Sequence, residues 1–187
     1  MSARVQPDAG MLLVARAADF AARAHAMQKR KGAAQEPYVN HLAEVALLLT
    51  EATGGRNPVL IAAAWLHDTL EDTITEREEL QSLFGKDVAT IVAEVTDDKS
   101  LPKSERKRLQ VETAPKKSKP ARMLKIADKT SNLRALAKSP PMGWDLRRRE
   151  DYVTWAEAVV AGCRGLSAEL EARFAAAVAD ARTALAP

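Results

Sequence analysis

With 187 residues, 47% of them hydrophobic, the chain has enough apolar material for one compact core and is cramped for two independent domains. Its 28 Lys plus Arg against 25 Asp plus Glu leave a net charge of +3, too even a balance for a nucleic-acid polymer as partner. No run of about 20 apolar residues could span a bilayer. Residues 1–10 contain Pro7 and Asp8 without the apolar segment of a secretion signal, and the single Cys163 has no internal partner, so a reducing cytoplasm is expected.

Aromatics make up only 4% of the chain and no stretch alternates with period two, so the expected fold class is all-α, packed through small side chains. Met11 to about Gln28 reads as the first helix, with His25 packed or capping near its end, followed by the basic turn Lys29-Arg30-Lys31-Gly32. After Pro37-Tyr38, Asn40 is placed to cap a helix from His41 to Thr50, which sets His41 on the first turn. A histidine there suits a ligand projected from a rigid element and suits an ordinary surface residue equally. Gly54-Gly55 breaks the chain, and Pro58 opens the helix that runs through Ala62-Ala63-Ala64-Trp65-Leu66 into His67-Asp68. Thr75 and Glu78 are spaced as a capping box for a short helix to Phe84. Gly85 separates this helix from one spanning Asp87 to about Asp97, and a basic helix from Ser104 to Ala114 precedes a lysine-rich connection at 115–120. From Ala121 a long buried helix is interrupted by Asp128, Lys129, Asn132 and Arg134, and Pro140-Pro141 ends it. Helices from Trp144 to Gly162 and from about Ser167 to Ala186 complete the chain, the last as structural cover.

The stretch from Trp65 to Thr73 carries the strongest chemical signal. On one helix His67 would lie over Glu71 and Asp68 over Asp72, gathering an imidazole and three carboxylates. Carboxylates this close call for a cation, so a divalent metal on His67 and Asp68, with Glu71 and Asp72 left for acid–base work, is the economical reading. An exposed acidic helix end is the plain alternative. Asp128, inside an apolar helix and four residues from Asn132, needs either the same ion or a buried Lys or Arg. His41, His67, Asp68 and Asp128 together make two imidazoles and two carboxylates, a mixture that suits manganese, iron or zinc. A divalent ion with open positions points to hydrolysis of a phosphate ester or anhydride.

These residues resemble a known pattern. His41, His67-Asp68 and Asp128 are similar to the H…HD…D signature of HD-domain phosphohydrolases. The stretch His67-Asp68-Thr69-Leu70-Glu71-Asp72 resembles the HD-x-x-ED motif of RelA/SpoT-type hydrolases, and Lys125 to Arg134 resembles their K-I-A-D-K-x-x-N-L-R segment. Arg30-Lys31 before Pro37-Tyr38-Val39-Asn40-His41 resembles the entry motif of that family, and Thr96-Asp97-Asp98-Lys99 with Lys103 to Arg108 resembles its small alarmone hydrolase branch. Leu42 departs from the pattern, standing where many relatives have proline. The resemblance covers roughly 15 to 165 and implies a single HD-type domain over 1–187 that removes the 3′-pyrophosphate of ppGpp or pppGpp with Mn2+. It further implies His41, His67, Asp68 and Asp128 as metal ligands and Glu71 and Asp72 as the pair handling the attacking water. Arg30, Lys31, Lys103, Asn132, Arg147 and Tyr152 would meet the nucleotide. Removal of the 2′-phosphate of NADPH, another nucleotide phosphohydrolase activity, and a non-catalytic nucleotide-binding HD module are the alternatives.

Overall fold

The computed structural model describes residues 8–186; residues 1–7, where part of the leader expectation falls, and Pro187 lie outside the described residues. The described residues form helices α1 (Ala9–Ala24), α2 (Val39–Thr53), α3 (Pro58–Leu66), α4 (Thr69–Asp72), α5 (Arg77–Phe84) and α6 (Lys86–Val95). They continue with α7 (Lys103–Thr113), a 3-10 turn (Ala114–Lys116), α8 (Lys119–Lys138), α9 (Leu146–Ala161) and α10 (Ala168–Leu185). Extended pairing among them is confined to two isolated bridges, Lys29 with Pro37 and Gly32 with Pro141, so the all-α expectation holds.

Two helices form the centre. In α3, Leu60, Ile61, Ala62, Ala63, Ala64 and Leu66 are all buried, and a helix apolar on every side must be enclosed, here by α1, α2 and α6. In α8, Leu124, Ile126, Ala127, Leu133 and Leu136 anchor the helix against α10, α2, α6 and α9. Lys125, Asp128, Lys129, Thr130 and Ser131 are carried into the interior with them. Burying that many polar side chains is costly unless they meet one another, and the site is where they meet.

Three local expectations need correction. The first is the continuous helix through His67-Asp68. Its last carbonyls are taken by side chains, Ala64 by His67 Nδ1 (2.7 Å) and Leu66 by Thr69 Oγ1 (2.6 Å), so α3 stops at Leu66. Asp68 sits at φ −99°, ψ −2° before the separate turn α4. Second, Asn40 does not cap α2, because the chain is already turning at Tyr38, which holds the cap position without a side-chain bond. Third, the capping box is not formed: α5 starts at Arg77 behind Glu76, while the buried Thr75 turns inward and donates its hydroxyl to Thr73 Oγ1 (2.8 Å), whose own proton goes to Thr69 O.

The basic loop 29–37 is fastened to the end of α8. Met142 N donates to Lys31 O (3.1 Å), Ala34 N donates to Ser139 Oγ (3.1 Å), and a Cβ on Gly32 would stand 2.2 Å from Ser139 O. Gly32→Ala is therefore expected to cost about 1–3 kcal/mol of stability, the usual range for forcing an extra carbon into a packed contact. Urea denaturation measures it, and an unchanged midpoint would show that the loop is not seated there.

Candidate metal centre and substrate cleft

Four side chains from three stretches converge where α2, the α3–α4 break and α8 meet. His41 Nε2 lies 3.6 Å from Asp68 Oδ2 and 3.4 Å from Asp128 Oδ1, and His67 Nε2 lies 3.2 Å and 3.9 Å from the same two oxygens. Donor atoms of His41, His67 and Asp128 all fall within 4.8 Å of one another. Ligands held at about 2.1 Å from a common ion stand about 3.0–3.4 Å apart along an octahedral or tetrahedral edge, so the spacing fits a small divalent cation.

The hydrogen bonds fix which nitrogen each histidine offers. A carbonyl can only accept, so His67 Nδ1 carries the proton it gives to Ala64 O, leaving a lone pair on Nε2, which is buried and has no hydrogen-bond partner. His41 follows the same logic through a relay: Ser131 Oγ donates to Glu44 Oε2 (2.6 Å), so it accepts from His41 Nδ1 (2.8 Å). Arg134 secures Glu44 at 2.9 Å. Burial also lowers the pKa of His41, favouring the neutral imidazole a ligand must be. Burial works against ionisation of Asp128, yet the Lys129 ammonium at 2.9 Å prevails and holds its carboxyl well below the usual range. Of the two partners expected for Asp128, the buried lysine is present on Oδ2, and its Oδ1 faces the two imidazoles. Two imidazole lone pairs and two carboxylates satisfy the donor chemistry of the implied ion.

The carboxylates separate at the break before α4. Asp68 turns to the imidazoles and accepts from Tyr38 OH (2.7 Å), whereas Glu71 accepts from Asp97 N (3.3 Å) and faces Arg106 NH1 at 3.6 Å. Asp72 takes Lys99 Nζ at 2.5 Å. Burial raises the pKa of Glu71 and the nearby Asp97 charge adds to it, a setting suited to a group that takes up a proton. With Glu71 as base, activity requires its ionised form, so Asp97→Asn should move the acid limb of the pH–rate profile to lower pH. An unmoved limb would remove Asp97 from that role.

A cleft of about 580 Å³, lined in part by His41, adjoins a polar chamber of about 170 Å³ lined by His67, Asp68 and Asp128; Tyr38, Glu71, Asp97, Gln110 and Asn132 line both. Of the residues implied to meet the nucleotide, Arg30, Lys31, Lys103, Asn132 and Tyr152 line the cleft. Arg30 is also built into the centre: it lies over the Tyr38 ring and donates to Asn132 Oδ1 (3.1 Å), while Asn132 Nδ2 donates to Asp128 Oδ1 (2.6 Å). Arg147 is exposed on α9 and is not among the lining residues. Its neighbour Arg148, about 100° further round the helix, lies over the Trp144 ring at 4.6 Å. Lys103 Nζ approaches Trp144 at 5.9 Å, and Trp155 lies under both Lys107 and Lys129 at 4.7 and 4.5 Å.

Tyr38, Asp97 and Lys129 belong to the site although only their motifs were singled out in the sequence. Lys129 had a direct signal as a charge inside an apolar helix. Arg106 lay within the Lys103–Arg108 run without being told apart from its neighbours, and Gln110 had no signal, because α7 buries no residue fully and its basic sequence does not distinguish the cleft side from the solvent side. His25, expected to pack or cap, does both: it ends α1 and stacks on Tyr38 at 5.2 Å, and its Nδ1 meets Gln28 Oε1 (2.7 Å). Gln28 in turn donates to the backbone carbonyl of Asp72 (2.7 Å).

Comparison with known proteins gives this geometry a lineage. The HD domain family model matches residues 17–157. The guanosine-3′,5′-bis(diphosphate) 3′-pyrophosphohydrolase MESH1 of Xenopus tropicalis is 48% identical over 162 residues, 87% of this chain and 90% of that protein. The protein of the same name from Homo sapiens is 50% identical over 155 residues, 83% and 87% of the two chains. A solved structure of a metazoan ortholog of SpoT, described as hydrolysing ppGpp and playing a role in starvation responses, superposes with a TM-score of 0.86 at 42% identity. It covers 92% of this chain and 96% of its own. The chain belongs to the HD-domain family, among the RelA/SpoT-type hydrolases of the small alarmone hydrolase branch.

Proposed function

We propose that this chain is a single-domain, manganese-dependent phosphohydrolase, acting in the cytoplasm, that converts ppGpp or pppGpp to GDP or GTP and pyrophosphate. The observation that carries the reading is the pair of imidazole lone pairs facing the buried Asp128 and the partly buried Asp68 at the edge of a cation-lined cleft. The relatives named for this activity match most of the chain at close to half identity, which supports the same substrate here.

His41, His67, Asp68 and Asp128 would hold the ion. A divalent ion in such a set lowers the pKa of water and draws charge from phosphoryl oxygens. Glu71 takes a proton from the attacking water as its oxygen bonds to the phosphorus attached to O3′. The P–O3′ bond breaks, and the proton that Glu71 has taken up is available to the departing ribose oxygen, while Asp72, paired with Lys99, helps hold the water. Lys31 and Lys103 offset the charge of the remaining phosphates. Arg30 keeps Asn132 on Asp128 while presenting its guanidinium edge to the cleft.

The test is an assay of chelator-stripped protein, with metal restored, against ppGpp, NADPH and GMP. The expected result is metal-dependent release of pyrophosphate from ppGpp at the highest kcat/KM of the three. Preferential dephosphorylation of NADPH would replace the substrate assignment, and tight binding of all three without turnover would make the chain a nucleotide-binding module.

A further inference from the structure

The cleft holds more positive charge than it leaves uncommitted. Of the arginines lining it, Arg30 is tied to Asn132 and Arg134 to Glu44, while Lys103 and Lys107 lie over aromatic faces and Lys29, Lys31 and Lys138 offer single ammonium charges. Arg106 differs. It projects from α7 one turn from both Lys103 and Gln110 and lines the cleft, with its side chain about a quarter exposed (25%). Among the described residues, the one acid within 4 Å of it is Glu71, at 3.6 Å, too far for a hydrogen bond, and its buried Nε has no partner. The structure therefore has a planar guanidinium with spare donors beside the proposed base.

The position also suits a particular part of the substrate. Glu71, Asp97 and Gln110 border both the cleft and the small chamber, so Arg106 stands where the two spaces join. The phosphate under attack must lie against the four metal-binding side chains and Glu71. The second phosphate of a 3′-diphosphate is one bridging oxygen away. The chamber wall carries Asp68, Glu71, Asp72, Asp97 and Asp128 against only Lys125 and Lys129, which are already engaged by Val95 O and Asp128, so a phosphate turning that way meets an excess of like charge. It must turn toward the cleft, where an arginine fork can hold two phosphate oxygens at once.

We propose that Arg106 receives the distal, non-reacting phosphate of the 3′-diphosphate and so distinguishes a diphosphate from a monophosphate at this site. This assignment rests on the hydrolase reading above, since it presumes that the reacting phosphate sits at the four donors. The rival role is purely local, with Arg106 acting only as the partner of Glu71. The two differ in one respect: a role through Glu71 would affect every phosphate alike.

Wild type, Arg106→Met and Arg106→Lys are loaded with manganese, freed of excess ion and titrated by calorimetry with inorganic pyrophosphate and with orthophosphate. The Kd for pyrophosphate is expected to rise about tenfold or more in Arg106→Met and about threefold in Arg106→Lys, as one bidentate charged contact is lost or reduced to a point charge. Orthophosphate binding should change by less than about twofold, since it makes only the contacts of the reacting phosphate. Equal weakening of both anions, unchanged pyrophosphate binding, or a wild type that does not bind pyrophosphate overturns the assignment. If Arg106→Met fails to fold, Arg106→Lys is judged by the same selectivity. Turnover of ppGpp by the wild type is measured separately, so failure of the activity and failure of the Arg106 contact give different results.

Discussion

Replacing His67 with alanine is expected to abolish metal binding and turnover together, with the fold retained. His67 Nε2 is a buried nitrogen with no other partner, and its removal leaves the ion one imidazole and two carboxylates. The carboxylates themselves stay paired, Asp68 with Tyr38 and Asp128 with Lys129 and Asn132, so the vacated site does not by itself unfold the chain. Turnover should fall by about 10³-fold or more, since a metal ion contributes several kcal/mol to the transition state at about 1.36 kcal/mol per decade. Elemental analysis and a thermal melt give the readout. Wild type should gain stability from added manganese, by about 2.7 kcal/mol at a hundred times Kd, and His67→Ala should gain none. Full metal occupancy in His67→Ala would sink the ligand assignment.

Glu71→Gln separates chemistry from binding. Glu71 is not one of the four donors, its oxygens face Asp97 N and Arg106, and its burial beside Asp97 favours proton uptake. The amide has nearly the same shape but cannot take the proton, so metal content and substrate affinity should persist while kcat falls by about 10²-fold or more. A near-normal kcat would transfer the role of base to Asp72, whose carboxylate is otherwise engaged by Lys99.

The meeting of His41, His67 and Asp128 was legible in the sequence because each interrupts or opens an apolar helix, and such an interruption is tolerated only where the buried group finds a partner. His41 on the first turn of α2, His67 at the end of α3 and Asp128 in the middle of α8 are such cases. The arrangement of Glu71 and Asp72 was not legible. Helical periodicity stacks them with His67 and Asp68, whereas Thr69 Oγ1 and His67 Nδ1 take the carbonyls that would have continued α3. Lys99 and Arg106, from later in the chain, then engage the two acids separately. Arg30 shows the same limit. Its charge and its place in a motif marked it for the nucleotide, but its bond to Asn132 on α8 is a long-range contact that local spacing cannot contain.

The measurement that tests the central claim most directly is hydrolysis of ppGpp in ¹⁸O-labelled water, with products separated and weighed by mass spectrometry. Attack at the phosphorus attached to O3′, with Glu71 taking the proton and the P–O3′ bond breaking, predicts one GDP and one pyrophosphate per ppGpp. A single ¹⁸O should appear in the pyrophosphate and none in GDP, and a chelator should suppress both products. Release of orthophosphate, label in the nucleotide, or undiminished turnover in metal-free protein would contradict the account.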